Sequence, residues 1–273
     1  MLASYFFGGS MLLTDECPNT TEDLRVYESA ILDVASTEFI DLKTKLDLAV
    51  AEISEDVIDV LLDRPLLPGF PGFPGGDPQG ALRRVIGVSD VVVTPQLKRW
   101  HALHTLAVVY RDVFNNQLND RYQVKLAEYT DLERTARDHT LRFGIGLVLR
   151  PIPRAAQPTA TFVAAAAVAT TYFVQVAWVG PDGKESAPSF ATSFDAAAGS
   201  VPSISAGVPP AIVTGFNVFA GLSPETLALQ NSSPAGVGQT FTLAASGLAA
   251  GRAPMGGQPA DVFLAFPRIS RRG

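Results

Sequence analysis

The longest regular pattern of apolar and polar positions runs from Thr94 to Arg142. Thr94 and Pro95 form a helix start signal, because a Thr hydroxyl can cap a free amide and Pro suits the first helical position. Polar residues at 115–120 interrupt the pattern, so the segment is either one kinked helix or a hairpin of two. Apolar or small residues recur at intervals of three or four, as on one helix face, at Leu97, Trp100, Leu103, Ala107, Tyr110, Phe114, Leu118, Tyr122, Leu126, Tyr129, Leu132 and Ala136.

Two shorter helical patterns precede this segment, after an irregular stretch over residues 1–19. Thr20-Thr21-Glu22-Asp23 is a typical helix cap. Arg64-Pro65 ends the second pattern, since the residue before a proline is pushed away from helical angles. The first pattern comprises Leu24, Tyr27, Ile31 and Val34, and the second comprises Phe39, Leu42, Leu46, Ala49, Ile53, Val57, Val60 and Leu61.

A proline- and glycine-rich loop, PLLPGFPGFPGGDPQG, occupies residues 65–80. This composition excludes a helix and shows no strand alternation. Phe70 and Phe73 repeat within it as PGF. Either they form a docking tip for a partner, or they fold back and cover the core of their own domain.

Two short apolar segments flank the long helical pattern. Residues 82–93 are interpreted as a short strand or an extended link, and residues 143–149 as a strand that can pair with 85–93 to form a small sheet beside the helices.

From Pro151 onward the composition changes, because charge falls and Ala, Thr, Gly, Ser and Pro rise. Short strands separated by turns are predicted at 171–179, 189–194, 212–220, 227–230 and 240–244. Gly180-Pro181-Asp182-Gly183 is a turn in which Gly183 can adopt a positive φ. Regular short strands of this kind are typical of an antiparallel β-sandwich. The fold class expected for the whole chain is therefore α+β, with a helical part followed by a sandwich.

One uncharged run, between Arg154 and Asp182, has the length of a membrane span. It contains Pro158 and several Thr residues, and its ends are β-branched and aromatic. We interpret it as two strands with a turn, and we expect no membrane association.

The net charge of −6 is distributed unevenly along the chain. Residues 15–63 carry 3 basic and 14 acidic side chains, whereas residues 83–150 carry 11 basic and 7 acidic ones. These segments are either paired within one subunit, paired across an interface, or simply two solvated faces. The chain lacks the dense basic patch of a duplex-DNA binder.

Few residues suggest catalysis. His101 and His104 have a spacing that can bind a metal, but no third ligand accompanies them, and we interpret them as histidines on a polar helix face. Cys17 is the one cysteine, which fits a reducing cytoplasm, and we expect it to be inert. Asp131 and Glu133 point to different sides of a helix. No nucleophile elbow or phosphate loop is present, so we expect no enzyme, cofactor or metal site.

The helical half resembles the tailed-phage neck proteins of the head–tail adaptor (connector) class. The residues that carry this resemblance are LKRWHALHTLAVVYRDVFNNQLNDRYQVKLAEYTDLERTARD, in particular YRDVFN followed by RYQVKLAEY. The PGFPGF loop has no counterpart in that class.

The second half is similar to the fibronectin type III or immunoglobulin-like modules appended to phage structural proteins. The similarity rests on TYFVQVAWVGPDGKESAPS and on GFNVFAGLSPETLALQNSSPAGVGQTFTLAASGLAAGRAP. Tyr172, Val174 and Val176 alternate as one inward face, and residues 216–219 and 229–231 match the later hairpin.

These resemblances imply a structural protein of the virion neck. Such adaptors form a homo-oligomeric ring, usually of about twelve subunits, at the portal–tail junction. The ring binds the portal protein and tail or neck proteins and extends the channel through which genomic DNA passes without sequence-specific binding. The implied domains are a helical adaptor domain at 1–150, an Ig/FnIII-like β-sandwich at 155–262 and a basic tail at 263–273. Arg268, Arg271 and Arg272 in that tail either contact a neighbouring subunit or the portal, or form a disordered end.

Two rival functions come from other classes. One is a phage accessory or decoration protein whose Ig-like domain binds host-surface carbohydrate, with Tyr172 and Trp178 as its sugar-stacking candidates. The other is an enzyme with a dispersed site, which would need a deep polar pocket.

Overall fold

The computed structural model describes residues 10–62, 86–117 and 120–265. The loop at 65–80 with Phe70 and Phe73 lies outside these residues, as do Arg268, Arg271 and Arg272. The described chain is α+β, with helices and antiparallel sheets.

The chain forms two compact units. Among the described residues, the helical unit contains residues from 16–147 together with 263–265, and the β unit contains 148–262 together with 10–15. This division differs from the boundaries expected from sequence at both ends of the chain. Long-range backbone pairing causes the difference, because Ser10 forms a bridge with Gln258 and Val262–Leu264 pair with Ile145–Leu147.

The described part of the helical unit contains five α-helices: α1 (Thr21–Arg25), α2 (Ile31–Thr37), α3 (Leu42–Leu62), α4 (Pro95–Gln117) and α5 (Asp120–Phe143). A short 3-10 helix at Val88–Asp90 precedes α4. The long pattern of the sequence is thus a hairpin of two helices, with α4 and α5 packed along each other. Of the two alternatives for this segment, the structure selects the hairpin.

Side-chain caps start two of these helices as predicted. Thr20 accepts a hydrogen bond from the Asp23 amide at 3.3 Å, and the Asp23 carboxylate accepts one from the Thr20 amide at 2.8 Å. Thr94 accepts a hydrogen bond from the Leu97 amide at 3.2 Å, directly before Pro95. Both caps satisfy amides that the first helical turn leaves without partners.

The first apolar pattern is divided rather than continuous, since α1 ends at Arg25 and α2 begins at Ile31. Phe39 also departs from the prediction, which placed it on the buried face of the second helix. It lies between α2 and α3, has a φ of 55° and is 95% exposed. The Ile40 amide donates to the Ala35 carbonyl at 2.8 Å. This bond is typical of an α-helix that ends with a residue in the left-handed conformation, here Phe39.

The buried faces of α3 and α4 form the core of the helical unit. Trp100, Leu106 and Ile53 are almost completely buried. Tyr110 and Tyr129 stack across the hairpin with ring centroids 5.3 Å apart, which joins the middle of α4 to α5.

Two short strand contacts complete this unit. Strand β1 (Ile145–Leu147) forms a bridge to Val91, and the Val92 amide donates to the Gly146 carbonyl at 2.9 Å. The pairing expected between the two flanking segments is therefore present, although shorter than predicted. The second partner of β1 is β10 (Val262–Leu264), which the sequence did not suggest.

The β unit contains two antiparallel sheets. The larger has the order β4-β3-β6-β7, with strands Thr192–Ala196, Thr170–Val179, Gly215–Gly221 and Ala228–Leu229, and β8 (Ala235–Gly236) also pairs with β6. The smaller has the order β2-β5-β9, with strands Thr159–Ala164, Ser200–Ser205 and Phe241–Thr242. The β3–β6 pair is the longest ladder and matches Phe173–Val179 with Gly215–Gly221.

Side chains from both sheets share one core. Strand β3 contributes Val174, Val176 and Trp178, all at most 2% exposed, and Ile204 of β5 joins them. Trp178 meets Phe216 edge to face with centroids 6.2 Å apart. Burying these apolar surfaces from two sheets is the main source of stability of this unit.

Most of the predicted strands are present with shifted ends. The uncharged run does form two strands, β2 and β3, as expected, but these lie in different sheets. The turn at 180–183 is also confirmed, with Gly183 at a φ of 78°. Strand β5 was not predicted, because its sequence, SVPSIS, contains a proline and no clear alternation.

The chain around Ser10 is not isolated from the later sequence. Ser10 forms an antiparallel bridge with Gln258, and the Arg154 amide donates to the Asp15 carboxylate at 2.9 Å. The Gln258 side chain accepts from the Ile152 amide at 2.6 Å and donates to the Arg150 carbonyl at 3.0 Å. These bonds attach the early residues to the β unit.

In the part of the chain that the structure describes, no helix combines the length and apolarity needed to cross a membrane.

Candidate functional site

The two histidines of α4 lie in different polar networks within the helical unit. His101 is 1% exposed, so it is a core residue and not the polar-face histidine that the sequence indicated. Its Nε2 lies 3.1 Å from the Leu46 carbonyl oxygen, and its Nδ1 lies 2.8 Å from the side-chain nitrogen of Asn19. Asn19 also donates to the Lys98 carbonyl at 2.7 Å.

These partners define the protonation of the His101 ring. A carbonyl oxygen can only accept, so Nε2 carries the proton and Nδ1 accepts from Asn19. Burial disfavours the charged form and lowers the pKa of His101 to about 4, although the bond to Leu46 opposes this effect. His101 therefore connects α3, α4 and the segment before α1 as a neutral ring.

His104, one turn further along α4, lies between carboxylates of two other helices. Its Nε2 is 2.7 Å from Glu52 of α3, and its Nδ1 is 3.5 Å from Glu133 of α5. The Trp100 indole donates to the same Glu133 oxygen at 3.0 Å. His104 is thus half-buried, and the polar helix face on which the sequence placed it packs against α3 and α5.

The electrostatics of this second network favour a charged ring. Burial disfavours the charge on His104, but the hydrogen bonds and negative charges of Glu133 and Glu52 outweigh burial and raise its pKa. The hydrogen bond from His104 and that from Trp100 lower the pKa of Glu133, against the opposing effect of burial. The arrangement forms a carboxylate–imidazolium–carboxylate bridge across α3, α4 and α5.

Ion pairs connect the acidic early segment to the basic hairpin inside one chain. Of the alternatives left open by the sequence, pairing within a subunit is therefore present. The connecting pairs in the described residues are Asp23 with Lys98, Glu28 with Lys125, Lys45 with Asp112, Glu52 with Arg111 and Asp56 with Arg137.

A third network joins α5 to the turn after α1. The Tyr129 hydroxyl donates to Glu28 at 2.9 Å, and Lys125 binds the same carboxylate at 2.9 Å. Burial and the neighbouring Glu28 raise the pKa of Tyr129. Burial opposes ionisation of Glu28, but its bonds to Lys125 and Tyr129 prevail and lower its pKa.

The two histidines of α4 are not brought together with further metal-ligating side chains in the described residues. His101 and His104 have separate partners, and within the described ranges no three His, Cys, Asp or Glu side chains are grouped for a metal. Asp131 and Glu133 point apart as predicted, since Asp131 pairs with Arg134 at the surface while Glu133 faces His104.

Cys17 lies beside the His101 ring and not on a free terminus. Its sulfur is 3.7 Å from Nε2 of His101. Burial raises the pKa of the Cys17 thiol, with a smaller opposing effect from the hydrogen bond to the Asn19 backbone. A thiol with a raised pKa is a poor nucleophile at neutral pH.

The β unit contains its own buried polar cluster. Glu185 is 7% exposed and accepts hydrogen bonds from Asn217 and Arg252 through one carboxylate oxygen, whereas its second oxygen has no hydrogen-bond partner among the described residues. Asn231 donates to the Asn217 side chain at 3.0 Å and accepts from the Val218 amide at 2.8 Å. The Arg252 guanidinium also lies over the Phe219 ring, 5.3 Å from its centroid.

The two aromatic residues considered for sugar stacking are both buried. Tyr172 is 8% and Trp178 is 2% exposed, and both belong to the core between the sheets. Stacking on a sugar needs an open aromatic face, which neither side chain offers.

The β unit has a shallow open cavity of about 400 Å³ near the β6–β7 turn. Ala220, Gly221, Leu248 and Ala249 form much of its lining, with Ser223 and Thr226 as its hydroxyl groups. It contains no charged or titratable side chain, so it lacks the groups that acid–base or metal chemistry requires.

Sequence reasoning missed the partners of both histidines. Asn19, Glu52 and Glu133 lie 82, 52 and 29 positions from them in sequence, and only packing brings them together. One signal was available, because at 100° per residue both histidines lie along the same edge of the apolar face of the long helical pattern.

No protein-family model matches this chain, and comparisons with curated proteins and with solved structures found no similar protein.

Proposed function

We propose that the protein is a structural component of a tailed-phage virion, a head–tail adaptor located between portal and tail. The observation that carries the proposal is that polar side chains in the helical unit bind groups of the same chain. His101, His104 and Glu133 hold helices to one another, and each is occupied by partners within its own chain. Such a unit is built as a rigid scaffold, and the proposal assigns no reaction to it.

The helical hairpin supports this role. Helix α4 has 23 residues and α5 has 24, so each extends over about 35 Å at 1.5 Å per residue. Stacked tyrosines, the imidazolium bridge and intersegment ion pairs fasten the hairpin to the early helices. A rigid hairpin of this length provides an extended surface for neighbouring subunits in a ring.

The charge of the chain is compatible with a DNA channel. The net charge is −6, and the basic side chains of the hairpin are largely engaged by carboxylates of the same chain. Cations that are paired in this way in the described hairpin are less available to the phosphate backbone, which favours passage of DNA without retention.

We further propose that the β unit is an Ig/FnIII-like module. Its strand order supports this, because β4-β3-β6-β7 faces β2-β5 across one core, as the C′-C-F-G and B-E strands do in fibronectin type III domains. The unit departs from that pattern in the short strand β9 beside β5 and in β8 beside β6.

The carbohydrate-binding alternative has less support. Its stacking candidates, Tyr172 and Trp178, are buried, and the cavity near β6 offers small apolar residues and two hydroxyl groups. A glycan array with the purified chain tests it, and saturable binding at millimolar or tighter affinity would establish that function instead.

Imaging of virions tests the adaptor proposal most directly. We expect cryo-electron microscopy of the phage that encodes this chain to show its helical unit at the portal–tail junction. Loss of the gene should leave DNA-filled heads without tails. Particles whose neck lacks this chain would refute the proposal.

A solution experiment provides a second test. Mass photometry of the chain mixed with purified portal protein should show a complex carrying about twelve copies per portal ring. The chain alone can remain monomeric, since a ring can assemble on its partner by mass action. Absence of any complex with portal at micromolar concentrations would contradict the proposal.

A further inference from the structure

Helix α3 has two faces of different kinds: one is buried against other helices, and the other is exposed. Leu42, Leu46, Ala49, Ile53 and Val57 form its buried face. At 100° per residue, the opposite side carries Leu48, Ala51, Glu55, Ile58 and Leu62, all exposed. We call these five residues the outer stripe of α3.

The outer stripe has the spacing of a helix–helix seam. Its members follow one another at intervals of three, four, three and four residues, the alternation that keeps a seam facing a partner helix. Leu48 and Ile58 are each 39% exposed and Leu62 is 67% exposed. A solvated helix face normally carries charged residues at such positions.

Acidic side chains flank and interrupt the stripe. Asp47 lies on one side of it, Asp59 lies on the other, and Glu55 lies within it. All three are exposed, and no described residue forms an ion pair or hydrogen bond with them. The inner carboxylates Glu52 and Asp56 differ, since they bind Arg111 and Arg137 of the same chain.

We propose that the outer stripe of α3 binds an amphipathic helix of another protein that carries Lys or Arg on both sides of its apolar seam. We infer this kind of partner from charge complementarity with the exposed carboxylates of α3. Lys or Arg at the flanking positions would neutralise Asp47 and Asp59, as opposite charges at the edges of a coiled-coil seam set partner choice.

Charge argues against a second copy of α3 as the occupant. An antiparallel pair centred on residue 53 would place Asp47 against Asp59 of the other copy, and Ala51 against Glu55. A parallel pair would place the same carboxylates side by side. Both arrangements bring like charges together, which disfavours self-pairing through this face.

This surface goes beyond the adaptor proposal, because it is defined by α3 alone and does not depend on a ring. If it operates in a virion neck, it identifies α3 as the contact with a protein other than a copy of this chain.

The test uses two synthetic helical peptides of 21 residues and the full-length chain. Both have Leu at the first and fourth heptad positions. One carries Lys at the flanking positions, and its counterpart carries Glu there. Fluorescence anisotropy at low ionic strength should show at least about tenfold tighter binding of the Lys peptide, weakening as salt is added.

Substitutions locate the binding on α3. Ile58→Lys should weaken binding of the Lys peptide at least about tenfold, whereas Leu132→Lys on α5 is the matched control and should leave it unchanged. Leu132 is 37% exposed, close to the 39% of Ile58. The double change Asp47→Lys with Asp59→Lys should reverse the preference towards the Glu peptide.

Several results would overturn the inference. They are no binding of the Lys peptide at about 100 μM, equal binding of both peptides, or binding that Ile58→Lys does not weaken. Sedimentation of the chain alone is also decisive. Self-association that Ile58→Lys abolishes would make a second copy the occupant, whereas failure of portal binding would bear only on the adaptor proposal.

Discussion

His101 and His104 lie one turn apart on α4, and their surroundings shift their pKa values in opposite directions. The Leu46 carbonyl and Asn19 surround a buried neutral ring at His101, whereas Glu52 and Glu133 stabilise an imidazolium at His104. The two pKa values are therefore displaced in opposite directions from 6.5. Linkage then requires that the two residues affect stability at different ends of the pH scale.

The first prediction concerns acid. The pKa of His101 falls from 6.5 in the unfolded chain to about 4 in the folded one. Between pH 6.5 and pH 4, His101 is therefore protonated in the unfolded state but largely neutral in the folded state. The free energy of unfolding should fall by about 3 kcal/mol as pH falls from 6.5 to 4. Urea titrations at several pH values measure this slope, and His101→Gln should reduce it.

A control separates this effect from general acid unfolding. Glu28 and Glu133 have lowered pKa values, so their contribution to the free energy of unfolding is lost only as pH falls below about 4.5, the ordinary pKa of a Glu side chain. That loss falls at the lower end of the range from pH 6.5 to 4. His139→Gln changes an exposed histidine of α5 and should leave the slope intact. An identical slope in the His101 variant would show that the ring is not buried as described.

The second prediction concerns the alkaline side. The pKa of His104 is raised above 6.5 in the folded protein. Its contribution to the free energy of unfolding is therefore complete below pH 6.5 and is lost as pH rises through the pKa of the folded state. The free energy of unfolding should therefore decline as pH rises above 6.5 and through the raised pKa of His104. His104→Gln should flatten this decline, as measured by chemical unfolding in matched buffers.

The absolute stability of the His104 variant adds a second measurement. Without the imidazolium, Glu52 and Glu133 face each other with less compensation, and we expect a loss of roughly 2–3 kcal/mol at pH 6. Adding Glu133→Gln should recover part of it, because one of the facing charges is removed. If the double variant His104→Gln with Glu133→Gln were no more stable than His104→Gln alone, this would contradict the bridge of His104 to Glu52 and Glu133.

The third prediction concerns the backbone at Phe39. A bulky residue with φ near +55° costs about 1–2 kcal/mol, which glycine avoids. Glycine gains freedom in the unfolded chain, so Phe39→Gly should stabilise the protein by roughly 0.5–1 kcal/mol. Phe39→Ala retains the strained backbone and should give no stabilisation in thermal unfolding.

The fourth prediction concerns the buried carboxylate of the β unit. Arg252→Ala would leave Glu185 buried without a positive partner and should destabilise the protein by about 2–4 kcal/mol. The Arg252 side chain is 40% exposed, so the lower part of this range is expected. Glu185→Gln in the same chain should restore much of the loss, and a double-mutant cycle measures the coupling.

Local signals along the chain predicted its regular elements well. The spacing of apolar residues identified α3, α4 and β3, and Thr94-Pro95 marked the start of α4. Short-range rules sufficed for these features, because capping and side-chain periodicity depend on neighbours within a few residues. Even so, the sequence did not distinguish a kinked helix from the hairpin, since the Tyr110–Tyr129 contact spans 19 positions.

Long-range contacts explain the features that local signals missed. The bridge from Ser10 to Gln258 and the pairing of β1 with β10 join distant parts of the chain. The environment of His101 depends on Asn19 and Leu46 in the same way. Periodicity carries no information about which distant strand or helix packs beside a given residue.

The amino-acid sequence by itself determined the α+β class, the positions of the main helices and the charge contrast between residues 15–63 and 83–150. The tertiary structure decided how these parts are used. It placed the opposed charges against each other within one chain, enclosed His104 between Glu52 and Glu133, and left the outer stripe of α3 open. The physical reason is that helix formation depends on local spacing, whereas burial and pKa depend on groups brought together only by folding.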